Sequence, residues 1–317
     1  MLIMIFLLIP AALCLLFLLI TFCCFRFGFY AANRPKSCPD EIDIPKGKIY
    51  EPYRESMERW TREVRAMKSE EMTITSFDGL QLHARFYEFA PGAPMEIMFH
   101  GYRGSAERDL SGGVQRCFKM GRSCLLVDQR CSSKSQGHVI TFGIREHQDA
   151  LLWTHHAARK FPGVKIILTG ISMGAATVMM TADKDLPESV IGILADCGYT
   201  SAEEIIKKVI RQMGLPVRPG YFFAKLAARI FGKFDLEADS PRESLKNARV
   251  PVIFFHGEDD DFVPCQMSRD NFEVCASRKK LVTVPGAGHG LSYPQAPEYY
   301  LIELAEFFGP ESSYHTH

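Results

Sequence analysis

Val164–Ala176, which reads VKIILTGISMGAA, decides the fold that this sequence predicts. Its aliphatic and β-branched residues predict a buried strand, and small residues compatible with a helix follow the pentapeptide GISMG at 170–174. A strand, a tight turn and a helix are the context that a G-x-S-x-G elbow requires. Such an elbow would expose the hydroxyl of Ser172 on a strained turn beside a helix N-terminus. Ser172 is therefore the candidate nucleophile, and the alternative is an ordinary strand-to-helix turn.

Short apolar runs alternate with helical patterns on both sides of this stretch. The predicted strands are Met95–Phe99, Cys124–Asp128, Val164–Thr169, Val190–Ala195, Val250–Phe255 and Lys280–Val284. The predicted helices are Ala106–Met120, Phe142–Lys160, Met173–Asp185, Cys265–Ser277 and Pro297–Phe308. This alternation predicts an α/β fold with a mainly parallel sheet and helices on both faces. An Asp-Gly turn between Glu71–Ser76 and Leu80–Glu88 predicts a hairpin that adds an antiparallel edge.

One segment, Ser201–Asn247, is too long for a single crossover helix. Amphipathic patterns over Ser201–Met213 and Tyr221–Phe231 predict a helical cap above the carboxyl edge of the sheet, where it would help to shape a ligand pocket. The alternative is a surface insertion without a role in the site. The predicted organisation is a transmembrane anchor (1–25), a linker and leading helix (26–68, with the helix over Tyr53–Lys68), an α/β domain (69–311) containing the cap insertion (201–247), and a tail (312–317).

Composition excludes several classes of protein. The 317 residues include 37 basic and 37 acidic side chains, so charge gives no reason to expect a nucleic-acid partner. The ten cysteines contain no C-x-x-C pair and no regular spacing, so neither a metal site nor a disulfide framework is expected. Unpaired cysteines favour a reducing compartment.

The first residues of the chain are apolar and uncharged from Leu2 to Phe25. At about 1.5 Å per residue, these 24 residues cover roughly 36 Å as a helix, which predicts a membrane anchor. A cleaved signal peptide is the alternative, but the basic n-region and the small residues of a cleavage site are missing. Basic residues follow the apolar run at Arg26, Arg34, Lys36, Lys46 and Lys48. The positive-inside rule then predicts that the C-terminal domain faces the cytoplasm.

A nucleophilic serine needs a base, and the base needs a third group to orient it. In the elbow topology the acid follows a late strand and the histidine comes last. His289 lies in the glycine-rich sequence PGAGHG at 285–290, directly after a predicted strand, and is the candidate general base. The sequence HGEDDDFVP at 256–264 carries three adjacent aspartates, Asp259, Asp260 and Asp261, which spacing alone does not separate, and its match to H-G-x-x-D-x-x-V-P favours Asp260 as the acid. Asp196, which follows another predicted strand, is the competing acid.

The negative charge of a tetrahedral intermediate needs two backbone donors. The N–H group of Met173, directly after the nucleophile, is one candidate. The other is the N–H group of Tyr102, in the loop HGYRGS at 100–105 after the predicted strand Met95–Phe99. A plain glycine-rich turn is the alternative for this loop. This chemistry requires no metal or organic cofactor.

The motifs together resemble the α/β-hydrolase superfamily over about residues 70–310. The resemblance rests on HGYRGS, GISMGAA, HGEDDDFVP and GAGHG in this order. Further matches are to a branch of bacterial, membrane-anchored hydrolases described as serine aminopeptidase-like or as esterase and lipase relatives: DQR at 128–130, ITFG at 140–143, Glu146, Asp149 and ADCGYTS at 195–201. The resemblance implies the triad and oxyanion roles given above. One departure is Ser132-Ser133, where such proteins often carry His-Gly, which leaves the geometry of that loop open.

These observations predict a membrane-anchored serine hydrolase that forms an acyl-enzyme, most readily a carboxylesterase or lipase-like enzyme acting on acyl esters. An aminopeptidase or amidase is the second hypothesis. It needs a carboxylate near the cap to bind an amine, for which the candidates are Glu203, Glu204, Asp235 and Glu237. The third hypothesis is a non-catalytic protein that binds acyl chains or serves as a scaffold.

Overall fold

An eight-stranded sheet forms the centre of the computed structural model, which describes residues 2–31 and 41–309. Part of the predicted linker and the predicted tail (312–317) lie outside the described residues. The strands are β1 (Glu70–Thr75), β2 (Gln81–Tyr87), β3 (Met95–Phe99), β4 (Ser123–Asp128), β5 (Ile166–Ile171), β6 (Val190–Asp196), β7 (Val252–Gly257) and β8 (Lys279–Val284). Their order across the sheet is β1-β2-β4-β3-β5-β6-β7-β8.

The strand pairing confirms the predicted fold class. β1 pairs antiparallel with β2, and β2 pairs antiparallel with β4. Every later pair, from β4–β3 to β7–β8, is parallel. Because parallel strands end at one edge, the loops that follow β3, β5, β6, β7 and β8 meet at the carboxyl edge of the sheet.

The helices cover both faces of this sheet. They are α1 (Leu2–Gly28), α2 (Arg54–Ala66), α3 (Ala106–Lys119), α4 (Glu146–Lys160), α5 (Met173–Met179), α6 (Ala202–Gln212), α7 (Val217–Ala227), α8 (Pro241–Leu245), α9 (Cys265–Val274), α10 (Ser292–Gln295) and α11 (Pro297–Phe308). A 3₁₀ helix over Lys48–Tyr53 precedes α2, and a π-helical turn over Ala228–Gly232 follows α7. α3 and α11 pack on one face, and α4, α5 and α9 pack on the other.

The start of α4 differs from the prediction. The pattern placed it at Phe142, but Phe142 and Gly143 have φ values of 54° and 94°, which a helix excludes. The Glu146 carboxylate accepts hydrogen bonds from the backbone N–H groups of Thr141 (2.8 Å) and Gly143 (2.9 Å). These bonds hold the loop before α4 as a separate turn, and the helix begins at Glu146.

The N-terminal helix α1 is long and apolar enough to cross a membrane, judged by its length and composition. Its C-terminal end is joined to the domain, because Phe25 and Phe29 are buried there. The hydroxyl of Tyr102 donates to the carbonyl oxygen of Gly28 at 2.8 Å, and Arg103 donates to the carbonyl oxygen of Phe27 at 2.6 Å. Along its exposed length, α1 contacts α7 of the cap insertion.

A buried group of charges lies between β3 and α3. Glu96 is fully buried and accepts hydrogen bonds from Arg116, from Arg122 (2.9 Å) and from the hydroxyl of Thr169 (2.8 Å). Burial alone would raise the pKa of Glu96, but the two guanidinium groups outweigh it and lower the pKa. Glu96 therefore remains ionised and neutralises the positive charges of Arg116 and Arg122, which would otherwise be buried without a partner.

Replacing Glu96 with Gln keeps the shape of this group and removes its negative charge. We expect Glu96→Gln to lower the free energy of unfolding by about 3–5 kcal/mol, because two buried guanidinium groups lose their counterion. Denaturant unfolding of the full chain measures this change. The matched control is Glu71→Gln, which removes the exposed pair with Lys134 and should cost less than about 1 kcal/mol. Equal losses in the two variants would contradict the prediction.

Candidate active site

The turn between β5 and α5 holds Ser172 in a strained conformation. Its φ is 56° and its ψ is −117°, outside the regions that non-glycine residues favour. The turn can form because its flanking residues lack side chains. A Cβ on Gly170 would lie 2.1 Å from the carbonyl oxygen of Gly174, and a Cβ on Gly174 would lie 2.0 Å from that of Phe99. Only glycine allows the helix to approach β3 and β5 this closely.

His289 lies in the loop after β8 and joins the other two residues of the predicted triad. Its Nε2 is 3.0 Å from Oγ of Ser172, and its Nδ1 is 2.7 Å from Oδ2 of Asp260. Gly290, with a φ of 68°, allows the chain to turn away directly after the imidazole. The hydroxyl of Tyr50 donates to the carbonyl oxygen of His289 at 3.1 Å and supports the loop from outside. The structure thus brings Ser172, His289 and Asp260 into one hydrogen-bonded chain.

Asp260 is held by its own loop and by a second histidine. Its Oδ1 accepts from the backbone N–H groups of Phe262 (2.9 Å) and Val263 (2.8 Å). The buried His256 lies with Nε2 3.2 Å from Oδ2 of Asp260. Burial alone would raise the pKa of Asp260, but hydrogen bonds from His256 and His289 outweigh it and hold this pKa well below its ordinary range. The carboxylate is therefore ionised and able to orient an imidazole.

Asp196, the competing acid, has other partners. Its two carboxylate oxygens accept hydrogen bonds from the hydroxyls of Ser292 and Tyr300, both at 3.0 Å. Burial raises the pKa of Asp196. Its backbone carbonyl accepts from the N–H of Ser172 at 2.9 Å, so it supports the elbow through the main chain. Of the two acids, Asp260 is the one that is hydrogen-bonded to His289.

The two predicted oxyanion donors lie on chain segments that flank the serine. Gly101 lies beside Ser172, since a Cβ on Gly101 would be in ordinary van der Waals contact with the Cβ of Ser172, at 3.5 Å. Tyr102 follows it and lines the same cavity as Ser172, and its ring stacks on Phe142 at 5.1 Å. Met173 is buried at the first position of α5. The role of these two N–H groups stays a prediction.

The DQR segment at 128–130 is hydrogen-bonded to the loop after β3, which carries Tyr102, a role that the sequence did not reveal. The side-chain amide of Gln129 donates to the carbonyl oxygen of His100 at 2.5 Å, and the backbone N–H of Gln129 donates to Nε2 of His100 at 3.1 Å. Arg130 forms a bidentate pair with Asp149 at 2.7 and 2.8 Å. At the unusual Ser132-Ser133 step, the hydroxyl of Ser132 donates to the carbonyl oxygen of Gly104 at 2.8 Å. The loop after β4 is thereby tied to the loop after β3.

A cavity of about 510 Å³ opens at Ser172 and His289. Its remaining walls come from the segment 45–61, from α3 and from the region of α10 and α11, including Ile49, Tyr50 and Trp60. No residue of the cap insertion is among those that line it within the described chain, so the expectation that the cap shapes the pocket is wrong for this cavity. Residues 45–50, which the sequence assigned to a linker, line it instead. The sequence does not predict that this segment lines the cavity, because most of its residues are polar or small and only Ile49 and Tyr50 are large and apolar.

Within the described residues, Cys197, Asp260 and His289 carry donor atoms that lie within 4.8 Å of one another. These residue types can ligate a metal. Burial raises the pKa of the Cys197 thiol well above its ordinary value, which keeps the thiol neutral. Both ring nitrogens of His289 already make hydrogen bonds. Cys197, Asp260 and His289 are therefore better suited to proton transfer than to binding a metal ion.

The strand order, the elbow after β5 and the histidine loop after β8 define an α/β-hydrolase fold. The solved structures agree with this assignment. An esterase from Pyrococcus furiosus superposes with a TM-score of 0.65 at 18% identity, covering 88% of this chain and 98% of that one. An alpha-beta serine hydrolase homologue from Coxiella burnetii gives a TM-score of 0.50 at 18% identity, covering 77% and 97% of the two chains. At these identities the likeness concerns the fold.

Among curated proteins, the chain is similar to the uncharacterized protein YqkD of Bacillus subtilis (strain 168). The two are 25% identical over 194 residues, which is 59% of this chain and 62% of that protein. The chain thus matches less than two thirds of the length of this relative. No protein-family model matches the chain.

The environment of Asp260 predicts a stability that depends on pH. In the unfolded chain an aspartate titrates near pH 3.9, whereas the folded protein lowers the pKa of Asp260. The ionised carboxylate therefore contributes stability above about pH 4 and loses it as the pH falls towards the lower, folded pKa. We expect the difference in unfolding free energy between the parent and Asp260→Asn to be largest above about pH 5 and to shrink as the pH falls towards 3.

Denaturant unfolding at a series of pH values measures this difference. Asp261→Asn is the matched control, because Asp261 is the exposed neighbour of Asp260. The control should differ from the parent by a small and nearly constant amount. A difference for Asp260→Asn that stays constant between pH 3 and 6 would contradict the assignment of an ionised, hydrogen-bonded carboxylate.

Proposed function

We propose that this protein is a serine hydrolase that cleaves acyl esters through an acyl-enzyme intermediate. The observation that carries the proposal is the hydrogen-bonded chain from Ser172 through His289 to Asp260, with the serine in a strained elbow. A hydroxyl so placed is next to a base, and the base is oriented by an ionised acid. The fold neighbours support the proposal, since one is an esterase and another a serine hydrolase homologue.

The proposed reaction has two halves. In the first, Nε2 of His289 takes the proton of Ser172 while Oγ attacks the ester carbonyl, and Asp260 stabilises the imidazolium through Nδ1–H. The N–H groups of Tyr102 and Met173 bind the developing oxyanion. The imidazolium then protonates the leaving alcohol. In the second half, water gives its proton to His289 and attacks the acyl-enzyme, which releases the carboxylic acid and restores Ser172.

Ester substrates fit the site better than substrates with a free amine. The aminopeptidase hypothesis needs an available carboxylate, but the carboxylates proposed for it are engaged in ion pairs. These pairs are Glu203–Lys207, Glu204–Arg242, Asp235–Arg229 and Glu237–Lys225. None of the four carboxylates is among the described residues that line the cavity. The scaffold hypothesis leaves the strain at Ser172 without a purpose.

Labelling with a fluorophosphonate probe tests the nucleophile. The parent should react and Ser172→Ala should not, and the alanine variant should lose at least about 10⁴-fold in kcat on p-nitrophenyl esters, because no other hydroxyl occupies the elbow. Ser277→Ala, a partly exposed serine after α9, is the control and should react like the parent. Equal labelling of Ser172→Ala and the parent would remove Ser172 from the mechanism. Faster turnover of aminoacyl-p-nitroanilides than of esters by the parent would favour the peptidase hypothesis.

The membrane placement is part of the same proposal. We propose that α1 enters the bilayer and that the catalytic domain lies on the cytoplasmic side, since basic residues such as Arg26 follow the apolar stretch. Its length and apolar composition support a membrane helix. Protease added to intact cells should leave the domain uncut, and protease added to opened cells should degrade it. Loss of the domain from intact cells would reverse the orientation.

A further inference from the structure

Helix α7 of the cap insertion carries an apolar surface that the domain leaves uncovered. One face of the helix is buried, through Tyr221, Ala224 and Ala227. A second face of the helix presents the apolar residues Pro219, Phe222 and Leu226, and this surface is extended by Leu215 just before the helix and by Ile230 in the π-helical turn after it. We call these five residues the apolar band. Leu215, Phe222 and Ile230 are 49%, 55% and 42% exposed, so the band is open to whatever surrounds the cap.

The band continues directly into the surface of α1. The ring of Phe17 lies 6.4 Å from the ring of Phe222 and 5.2 Å from that of Phe223. Phe22 and Phe25 contact Phe231, just beyond the end of α7, at 5.4 and 5.7 Å. α7 therefore lies alongside the apolar part of α1 and shares its surroundings.

The contacts of Phe17 lie within the apolar part of α1, away from its charged end. Phe17 lies nine residues before Arg26, the first charged residue of the chain, and so well within the apolar stretch. Its neighbours on α1 are themselves exposed, as Leu16 and Leu18 are 52% and 48% accessible. If α1 enters lipid, the rings that touch Phe17 enter it as well.

One edge of the band is basic. Arg218 and Lys225, seven residues apart, lie on one side of α7 next to Phe222, and Arg229 follows in the π-helical turn after the helix. Lys225 and Arg229 are paired with Glu237 and Asp235. Apolar residues with a basic edge are typical of a helix that lies in the membrane interface, where long basic side chains reach the headgroups.

We infer that the apolar band of α7 inserts into the acyl layer of the bilayer next to α1, with its basic edge at the lipid headgroups. The partner is lipid, because the band is continuous with the helix that we propose to enter the membrane. The inference rests on that placement of α1 and goes beyond it. The catalytic domain then contacts the membrane through two elements, α1 and α7, and not through α1 alone.

Tryptophan fluorescence in brominated lipid tests this inference. The full chain carrying Phe222→Trp is reconstituted into phosphatidylcholine vesicles with or without bromine on the acyl chains. Quenching of the fluorescence that this substitution adds should be several-fold stronger than for the control, because bromine quenches only at short range. The control is Phe89→Trp, which replaces a 39% exposed ring after β2, at the opposite edge of the sheet. Ile230→Trp, on the same band, repeats the measurement if Phe222→Trp does not fold.

The outcomes separate this inference from the placement of α1. Resistance of the parent to alkaline carbonate extraction, together with strong quenching at both band positions, supports both. Resistance to extraction with no more quenching than in Phe89→Trp overturns the insertion of α7 and leaves the membrane attachment intact. A blue-shifted emission without bromine quenching also overturns it, since the band would then contact protein, such as a second copy of the chain. Release by carbonate without quenching overturns both.

Discussion

The structure of this site depends on how closely α5 approaches the strands at the elbow. At Gly170 and Gly174 a Cβ would meet a carbonyl oxygen at 2.1 and 2.0 Å, a distance that no side chain tolerates. This close approach forces the positive φ of Ser172 and directs its hydroxyl to the carboxyl edge. The loops of the neighbouring strands end at the same edge, so His289 and Asp260 can reach the hydroxyl. A single methyl group at either glycine would separate these partners.

Buried polar contacts fix the loops that carry the other groups. Asp260 receives bonds from two backbone N–H groups and contacts two histidines, and these four contacts hold its loop in place. Gln129 donates two hydrogen bonds to His100 and so fixes the start of the loop that carries Tyr102. Glu96 neutralises two arginines beneath the sheet. Each of these groups would be costly if its partner were missing, and this cost makes the arrangement specific.

Local patterns in the sequence predict much of this fold. The strand runs, the elbow and the order of Ser172, Asp260 and His289 follow from short-range periodicity and from loop motifs at strand ends. The helical pattern places the start of α4 too early, because it gives no sign that Phe142 adopts a left-handed backbone. The walls of the cavity were also missed. Whether residues 45–61 or the cap insertion lies over the serine is decided by packing between distant parts of the chain, which periodicity does not report.

The bond between the hydroxyl of Tyr102 and the carbonyl oxygen of Gly28 has a practical consequence for any shortened form of the protein. Arg103 also donates to the carbonyl oxygens of Phe27 and Tyr30, so the loop beside Ser172 is braced by the end of the N-terminal helix. A shortened protein that starts after residue 31 would be easier to handle in water, but it would lack these braces. Trimming only the first part of the helix and retaining residues 25–31 keeps the brace in place.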